Sequence, residues 1–445
     1  MNRVKKISLI ILLITHPILA YNQDLSIRNM SIEEMFEQAE THSRSLRFFD
    51  LAEKEAEQAI KTAGNAKLPS IDVSLSASYL GDGWIADRDF SNGTNASMPH
   101  FGNNFAIEAS QVIYAGGAIS SSISMAKLQH QLTALDKEKN RLEIRFLLVG
   151  NYLEIYKLHN QEDVYLKNME QTQQLLLEIQ ARQKEGLALK NDITRHELQL
   201  KSLELALTQL RNSITILNNQ LVTVLGLPEE TVIGVDTTLL SRIPAMSGEA
   251  DWQQTAWNRS PELQQSKVRI EQSRTLEKIA KSDRLPSAAL FAANHFDGPI
   301  TIEVPPINKN FNYWYAGISI QYNLASLYKS GKNIKQTKLS TQKAVEGDLL
   351  LQENLRTEIK SAYIRFLEAF TIYDTQVKSL ELAMQNYETV NKRYLNDLAL
   401  ITEMLDASSS KLSAELQVAN AQINILFNYY KLKKSIRKFI TTKIP

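Results

Sequence analysis

The chain has 445 residues and a nearly balanced charge, with 50 lysines and arginines against 49 aspartates and glutamates. This balance argues against a nucleic-acid surface, which needs a clustered basic face. The absence of cysteine excludes disulfide scaffolds, thiol chemistry and a lipid attached through cysteine. The 16 glycines and 11 prolines are few for this length, which favours long uninterrupted helices over a loop-rich fold.

Residues 1–20 have the layout of a secretory signal peptide. Three basic residues precede an apolar run over residues 7–14, and Ala20 is a small residue suited to cleavage. The apolar run is much shorter than the roughly 20 residues that a membrane-spanning helix needs. We therefore predict export of the chain and cleavage near Ala20.

The remaining sequence contains an internal duplication. Leu46 and Leu263 lie in similar segments, as do Pro69 and Pro286, and both pairs have the same offset (263 − 46 = 217 and 286 − 69 = 217). Two later blocks recur in the same order at offsets of 214 and 211, which pair Tyr114 with Tyr328 and Arg182 with Arg393. Four ordered matches indicate two copies of one structural unit. We place the copies at residues 21–226 and 250–441, with a linker over 227–249 and a tail over 442–445.

Each copy is predicted to contain a helix, a strand pair and a long helical hairpin. Pro69 and Pro286 mark helix-to-strand junctions, because proline lacks the amide donor and favours an extended predecessor. The strand pairs fall near 70–114 and 287–324, and the loops within them near 81–104 and 297–310. Apolar residues alternate with polar ones in the clearest strands, at Ile71, Val73, Leu75, Ala77, Tyr79 and at Trp314, Ala316, Ile318, Ile320, Tyr322. Tilted strands of about ten residues can cross a bilayer, but alternation alone also fits a soluble sheet with one wet face.

The hairpins are predicted over residues 118–226 and 328–441 from apolar residues at heptad spacing. The seams are Leu128, Leu132, Leu135, Leu142, Phe146, Val149, Leu153, Tyr156; Leu203, Leu207, Leu210, Ile214, Leu217, Leu221, Val224; Leu355, Ile359, Ala362, Phe366, Ala369, Tyr373; and Leu412, Leu416, Ala419, Ile423, Leu426, Tyr430. Residues 118–181 contain no proline, and a helix of that length would be on the order of 100 Å long. Such helices are stable only when their seams meet neighbouring helices.

Four strands in a membrane cannot leave their edges open, because unpaired backbone groups in hydrocarbon cost several kcal/mol each. Four strands are also too few to close alone, and a barrel of eight is filled by side chains. Closure around a pore therefore predicts several copies of the chain, and three copies would supply twelve strands. The helical hairpins would then continue the barrel as a hollow cylinder.

Several segments resemble TolC-type outer membrane factors. These are SIEEMFEQAE from Ser31, the two Leu-Pro junctions, LVTVLGLP at 221–228 and YLNDLALITEMLDASSS at 394–410. The resemblance implies a mixed α and β membrane protein, a trimeric twelve-stranded transmembrane β-barrel continued by a periplasmic α-helical barrel. It also implies a place in the outer membrane of a Gram-negative cell, in contact with lipid. The partners it implies are a periplasmic adaptor (membrane fusion protein) and an inner-membrane RND, ABC or MFS transporter, with the chain as exit duct for efflux or type I secretion.

Both copies turn between their long helices through Leu-Ala-Leu. We interpret these tips as adaptor contacts, formed by Gly186, Leu187, Ala188, Leu189, Leu398, Ala399 and Leu400. The small alanines would let another helical hairpin approach closely. The alternative is a plain helix-turn-helix connection, for which Gly186 would be sufficient.

The resemblance also implies a constriction at the tips. Glu403 and Asp406 match acidic rings of the family, whose like charges would repel around a narrow axis and attract cations. Asp192 and Tyr394 match positions that hold the closed tip, so we predict a bond from the Tyr394 hydroxyl to Asp192. The alternative for the acidic residues is that they are solvated at helix ends. Ala399 departs from the family, which often has arginine there, and this predicts a looser closed state.

Two other classes of protein compete with a duct as interpretations of this sequence. An enzyme is disfavoured because the sequence has no G-x-S-x-G, Walker A or H-E-x-x-H motif. His159 and His196 fall in helical stretches, where packed or solvated side chains are expected, so no catalytic residue, metal or cofactor is predicted. A periplasmic coiled-coil scaffold or adaptor would show the same heptads but would lack the strand pairs. The cargo and the pump class are left open by the sequence.

Overall fold

A computed structural model describes residues 26–235, 248–303 and 306–436. The predicted signal peptide, the tail and part of the predicted linker lie outside these ranges. The strands are β1 (Ser26–Met30), β2 (Ser70–Tyr79), β3 (Gly83–Ile85), β4 (Thr94–Ala96), β5 (Phe101–Ala115), β6 (Thr231–Val235), β7 (Ser287–Gly298) and β8 (Phe311–Gln321). The helices are α1 (Ile32–His42), α2 (Arg44–Gly64), α3 (Ala118–Lys184), α4 (Lys190–Leu225), α5 (Glu249–Arg259), α6 (Pro261–Ser282), α7 (Ser326–Leu395) and α8 (Ile401–Ser435).

The strands predicted to cross a membrane form one antiparallel sheet in the order β2-β5-β7-β8. Pro69 and Pro286 each directly precede a strand, at the junctions expected from the sequence. The loop predicted over 81–104 is shorter than expected, because Phe101 already pairs with Tyr79 and the intervening chain forms the β3–β4 hairpin. Among the described strands, β2 and β8 are the two edges of the sheet, and each pairs with one neighbour in it.

Pairing fixes the two faces of this sheet. One face carries the alternating apolar residues of β2, together with Ile107 of β5 and Trp314 and Ile318 of β8. The opposite face carries the serines of β2, namely Ser70, Ser74, Ser76 and Ser78. Every side chain of β2 is exposed in the single chain, apolar ones included. The sheet therefore has one polar and one apolar face, and neither face of β2 is covered by the other residues that the structure describes.

The helical hairpins have arms of unequal length. Helices α3 and α7 contain 67 and 70 residues, whereas the returning helices α4 and α8 contain 36 and 35. The halves of α3 and α7 nearer the sheet pack instead against α2 and α6. None of the helices among the described residues combines the length and the apolar character needed to span a membrane.

The helices lie side by side in two tiers. Near the sheet the neighbours follow the order α2-α3-α6-α7, and farther away the order is α4-α3-α8-α7. Like the sheet, each tier is a row of four elements with free edges. Most heptad positions of the predicted seams are buried between these neighbours, including Leu142, Leu207, Ile359 and Phe366.

Two hydrophobic cores lie where the tiers meet. The first joins α1, α3, α4 and α8 to a parallel pair of short strands, β1 and β6. The fully buried Tyr152 donates its hydroxyl proton to the carbonyl of Met30 at 2.9 Å, which ties α3 to β1. The second core is formed by α5 to α8. Sequence reasoning missed the β1–β6 pair, and β6 lies inside the range predicted as a linker, because two such short strands give too little periodicity to detect.

The structure repeats the first offset found in the sequence. Helices α1 and α5 both have 11 residues and begin at that offset (249 − 32 = 217). Ser43 and Ser260 then cap α2 and α6 in the same way, each accepting a hydrogen bond from the backbone N–H three residues ahead, at 3.5 and 3.3 Å. A serine oxygen at this position satisfies an otherwise unpaired amide of the first turn.

Candidate functional site at the helical tips

The two tips are built by the same backbone hydrogen bonds, at equivalent positions of the two copies. In the first tip the amide of Leu187 donates to the carbonyl of Arg182, and in the second the amide of Leu398 donates to that of Arg393, both at 2.8 Å. Gly186 and its counterpart Asp397 adopt the left-handed conformation, with φ of 79° and 61°. Glycine reaches this conformation without strain, and aspartate is among the few other residues that tolerate it. The connection is thus a tight helix-ending turn in both copies.

Asp192 and Glu403 occupy the same position in the two tips, because their offset equals that of Arg182 and Arg393 (403 − 192 = 393 − 182). Each carboxylate accepts a hydrogen bond from the backbone N–H three residues earlier, at Leu189 and Leu400, at 3.2 Å in both cases. A carboxylate in the first turn also interacts favourably with the positive end of the helix dipole. Helix capping therefore accounts for both residue types within one chain. Asp406 lies one turn further along α8 and is exposed.

The tip residues present an apolar surface. Leu187, Leu189, Leu398 and Leu400 are between 60% and 70% exposed. Ala188 and Ala399 between them are half-buried against the turn. Exposed leucines clustered at a protein end commonly mark an interaction surface. The two copies thus place equivalent leucine pairs at the end of the molecule farthest from the sheet.

Tyr394 and Asp192 lie near each other, but the predicted hydrogen bond between them is not formed within the described chain. The Asp192 carboxylate is engaged by the Leu189 amide, and the ring of Tyr394 stacks on His196 with centroids 6.4 Å apart. Burial, together with the negative charge of Asp192, raises the pKa of Tyr394 to about 12. The hydroxyl consequently stays protonated and able to donate at any physiological pH.

An arginine that sequence reasoning missed connects the two tips. The guanidinium of Arg182, at the end of α3, donates to the carbonyl of Leu395 at 2.7 Å and forms an ion pair with Asp397. Its counterpart Arg393 donates to Leu398 within its own turn. The prediction of a looser closed state, made from the missing arginine at Ala399, did not take the guanidinium of Arg182 into account. The alignment of Arg182 with Arg393 was the available signal that Arg182 has a structural role. Sequence spacing cannot show, however, that the partner of Arg182 lies in the other copy of the unit.

Polar side chains join α3 to α8 above the tips. Gln161 bonds to Asn420, Asn168 to Glu415 and Gln171 to Lys411, at 2.5, 2.7 and 2.6 Å respectively. Lys411 is buried, and burial lowers its pKa from the usual value. Buried polar contacts of this kind fix the register of packed helices, because a shift would leave charged groups unpaired. They lie along the contact between the two hairpins.

His196 lies closer to the tip, fully buried beside a small polar cavity lined by Thr172, Tyr387 and Ser408. Its Nδ1 is 3.1 Å from the carbonyl of Asp192, and since a carbonyl only accepts, Nδ1 carries the proton. Its Nε2 is buried and has no hydrogen-bond partner in the described chain. Burial lowers the pKa of His196 below its ordinary value of 6.5.

The closed tip should therefore loosen as the pH falls. In an opened tip His196 takes up a proton near pH 6.5, whereas burial in the closed tip resists protonation. The free energy that favours the closed tip is therefore fully present above this pH and decreases as the pH falls below it. Hydrogen exchange followed by mass spectrometry, corrected for its intrinsic pH dependence, should show reduced protection of residues 190–200 at pH 5.5 relative to pH 7.5. His196→Asn, which keeps a donor but cannot titrate in this range, should abolish the difference. An equal pH effect in that variant would assign it to another group.

Within the described ranges, no cluster of three or more histidine or acidic side chains is placed to hold a metal ion.

The fold, with an open-edged sheet above long helical hairpins, is that of outer membrane channels. The chain is similar to the channel OprN, at 16% identity and a TM-score of 0.73 over 91% of this chain and 89% of that one. VceC from Vibrio cholerae matches at 16% identity and a TM-score of 0.74, over 91% and 95% of the two chains. The open state of MtrE from Neisseria gonorrhoeae matches at 16% identity and a TM-score of 0.70, over 91% and 88%.

Residues 35–227 match the family described as outer membrane efflux protein. A comparison with curated proteins gives no match. Together with the shared fold, the family match confirms the predicted resemblance to TolC-type outer membrane efflux channels, the role as a channel component of efflux systems and the location at the outer membrane.

Proposed function

We propose that three copies of the chain form a passive exit duct, with a twelve-stranded barrel in the outer membrane and a helical barrel in the periplasm. The duct would serve a tripartite efflux or type I secretion system, together with a periplasmic adaptor and an inner-membrane RND, ABC or MFS transporter. The tips would gate it. The chain would have no catalytic role.

One observation carries this proposal: the sheet is a row of four strands, each helical tier is a row of four helices, and all three rows have open edges. Within the described part of a single chain, the sheet and both helical tiers each leave two edges free. In hydrocarbon the free edges of β2 and β8 would be costly, so β2 of one copy would pair with β8 of the next copy. A single threefold axis would close the sheet into a barrel and both helical tiers into rings at the same time.

Exposed apolar residues on an edge helix support the same assembly. Leu198, Leu205 and Ile216 of α4 are all at least 60% exposed, and the first two are one heptad apart. A second helical seam of this kind is expected where a neighbouring helix packs. We assign it to the adjacent copy.

Gating would involve the tips that Arg182 joins. Opening would separate the second tip from the first, and the Arg182 contacts with Leu395 and Asp397 would have to break. Of the acidic residues matched to family rings, Glu403 is engaged in helix capping, whereas no hydrogen bond or ion pair engages Asp406 within the described chain. We therefore assign the charged constriction primarily to Asp406. Three such carboxylates around an axis would favour cations over anions.

Charge at the tip leucines should abolish adaptor docking. Leu187→Asp combined with Leu398→Asp would place unpaired charge in an apolar contact, which costs several kcal/mol and would lower adaptor affinity at least about a hundredfold. The matched control is Asn191→Asp, which adds negative charge to the same tip at a position where the helix dipole favours it. Cross-linking to the adaptor and export by intact cells should fail only in the leucine variant. Normal docking in that variant would remove these leucines from the interface.

Fractionation and mass measurement test the duct against the periplasmic scaffold considered above. The duct should stay with outer membranes and run as a trimer in detergent. A protein that is monomeric and soluble without detergent would overturn the proposal and favour the scaffold.

A further inference from the structure

The cavity beside His196 lies between the two helical hairpins. Side chains of α3 and α4 from the first hairpin and of α7 and α8 from the second line it, including His196, Tyr387 and Ser408. Gln171, which bonds to Lys411 at 2.6 Å, also lines it, so the cavity adjoins the polar contacts that join α3 to α8. A molecule in this cavity would therefore contact both hairpins.

The imidazole of His196 brings an unused hydrogen-bond acceptor to the cavity. Its Nδ1 donates to the carbonyl of Asp192, so Nε2 of the neutral ring carries a lone pair. The residue is 1% exposed, and Nε2 is buried without a hydrogen-bond partner in the described chain. Buried polar atoms in native proteins are almost always satisfied, either by protein groups or by ordered water. We therefore expect a donor to Nε2 inside the cavity.

The second hairpin brings two hydroxyl groups to the same cavity. The Ser408 hydroxyl accepts a hydrogen bond from the side chain of Gln199 at 3.2 Å, which holds it beside α4. Gln199 and His196 are three residues apart and so share one face of α4. Among the described residues, neither the Ser408 nor the Tyr387 hydroxyl has an acceptor for its proton. Two donors from one hairpin thus accompany an acceptor from the other.

The size and chemistry of the cavity select its occupant. The volume open to the centre of a water-sized sphere is about 10 Å³, which is about the minimum that holds one water molecule. Buried water commonly makes about three hydrogen bonds, and one molecule can donate to Nε2 while accepting from both hydroxyls. No carboxylate is among the described side chains that line the cavity, so a divalent cation would lack a neutralising ligand.

We propose that one ordered water molecule links Nε2 of His196 to the hydroxyl groups of Tyr387 and Ser408, which together we call the hairpin water site. Water-mediated hydrogen bonds are nearly as favourable as direct ones. The site joins the two hairpins between the Lys411 contact and the Arg182 contacts. It deepens the proposed gating, on which its role rests, because separation of the hairpins would have to break the link.

A double-variant cycle tests the link, read by hydrogen exchange of residues 190–200 in the purified protein at pH 7.5. Tyr387→Phe removes one hydroxyl from the cavity, and the protection of these amides should fall about fivefold, the effect of one lost hydrogen bond. His196→Leu removes the acceptor that holds the water, so adding Tyr387→Phe to it should cause less than about a twofold further fall. The matched control is Tyr373→Phe, on the same helix but outside the cavity, which should leave protection unchanged.

A crystal structure of the closed tip tests the site directly. We expect density for one water molecule within about 3.2 Å of Nε2 and of at least one of the two hydroxyl oxygens. A protein donor bonded directly to Nε2, or an anomalous signal from a metal ion at that position, would overturn the site. Should His196→Leu fail to fold, this structure still decides the question.

The outcomes separate the hairpin water site from the proposed duct. Unchanged protection in Tyr387→Phe, or an equal fall in the presence and absence of His196→Leu, would overturn the water link and leave the duct standing. All three residues belong to one chain, so exchange and structure can be measured whatever the oligomeric state. A protein that holds the water but is monomeric and soluble without detergent would overturn the duct and the gating role, but not the site.

Discussion

Leu75→Arg should prevent assembly in the outer membrane, whereas Ser76→Arg, one residue further along the same strand, should not. Leu75 is on the apolar face at the middle of β2, and Ser76 is on the polar face. An arginine facing lipid near the bilayer midplane costs about 2–4 kcal/mol, and three copies would bring the cost to roughly 6–12 kcal/mol per trimer. In the proposed barrel, an arginine at position 76 would face the lumen and stay hydrated.

The measurement is the yield of heat-resistant trimer in outer membrane fractions. Because both substitutions add the same side chain to adjacent residues of one strand, differences in expression or strand propensity largely cancel. Equal loss in the two variants would mean that both faces are packed, as in a soluble sheet buried against another protein. Equal tolerance would mean that β2 is not in lipid at all.

Arg182→Ala should open the tip and raise single-channel conductance. Each copy would lose a hydrogen bond to the carbonyl of Leu395 and an ion pair with Asp397, together worth about 1 kcal/mol at an exposed site. If three tips open together, the equilibrium between closed and open states shifts by about 3 kcal/mol, or roughly a hundredfold. Asp397→Asn should have a smaller effect in the same direction, because asparagine also tolerates the left-handed turn but lacks the charge.

The double variant Arg182→Ala with Asp397→Asn tests whether the two side chains act together. Its conductance should match that of Arg182→Ala alone, since the ion pair can be lost only once. Tyr394→Phe is the comparison, because its predicted partner Asp192 is occupied by the Leu189 amide, and we expect a smaller rise than for Arg182→Ala. Wild-type conductance in Arg182→Ala would exclude this arginine from the gate.

The internal duplication shows which features of the structure follow from local sequence patterns. Two of the three offsets visible in the sequence, 217 and 211, reappear as equivalent helix caps and equivalent tip turns. The equivalent positions also show that Asp192 and Glu403 share a role, although sequence reasoning gave them different ones. Asp192 was interpreted as part of a latch and Glu403 as part of a charged ring, yet both accept the same backbone hydrogen bond at equivalent positions. The acidic residue type at the start of each helix is thus explained by capping before any function is invoked.

The sequence by itself determined the element types, the helix-to-strand junctions at Pro69 and Pro286, and which residues share a face. These features depend on neighbours two to four positions away, so periodicity and proline chemistry are sufficient to predict them. Only the tertiary structure decided that β5 pairs with β7 and joins the copies, that β1 pairs with β6, and that Arg182 reaches Asp397. Such contacts depend on how elements from opposite halves of the chain pack together, and no local pattern specifies a partner at that distance.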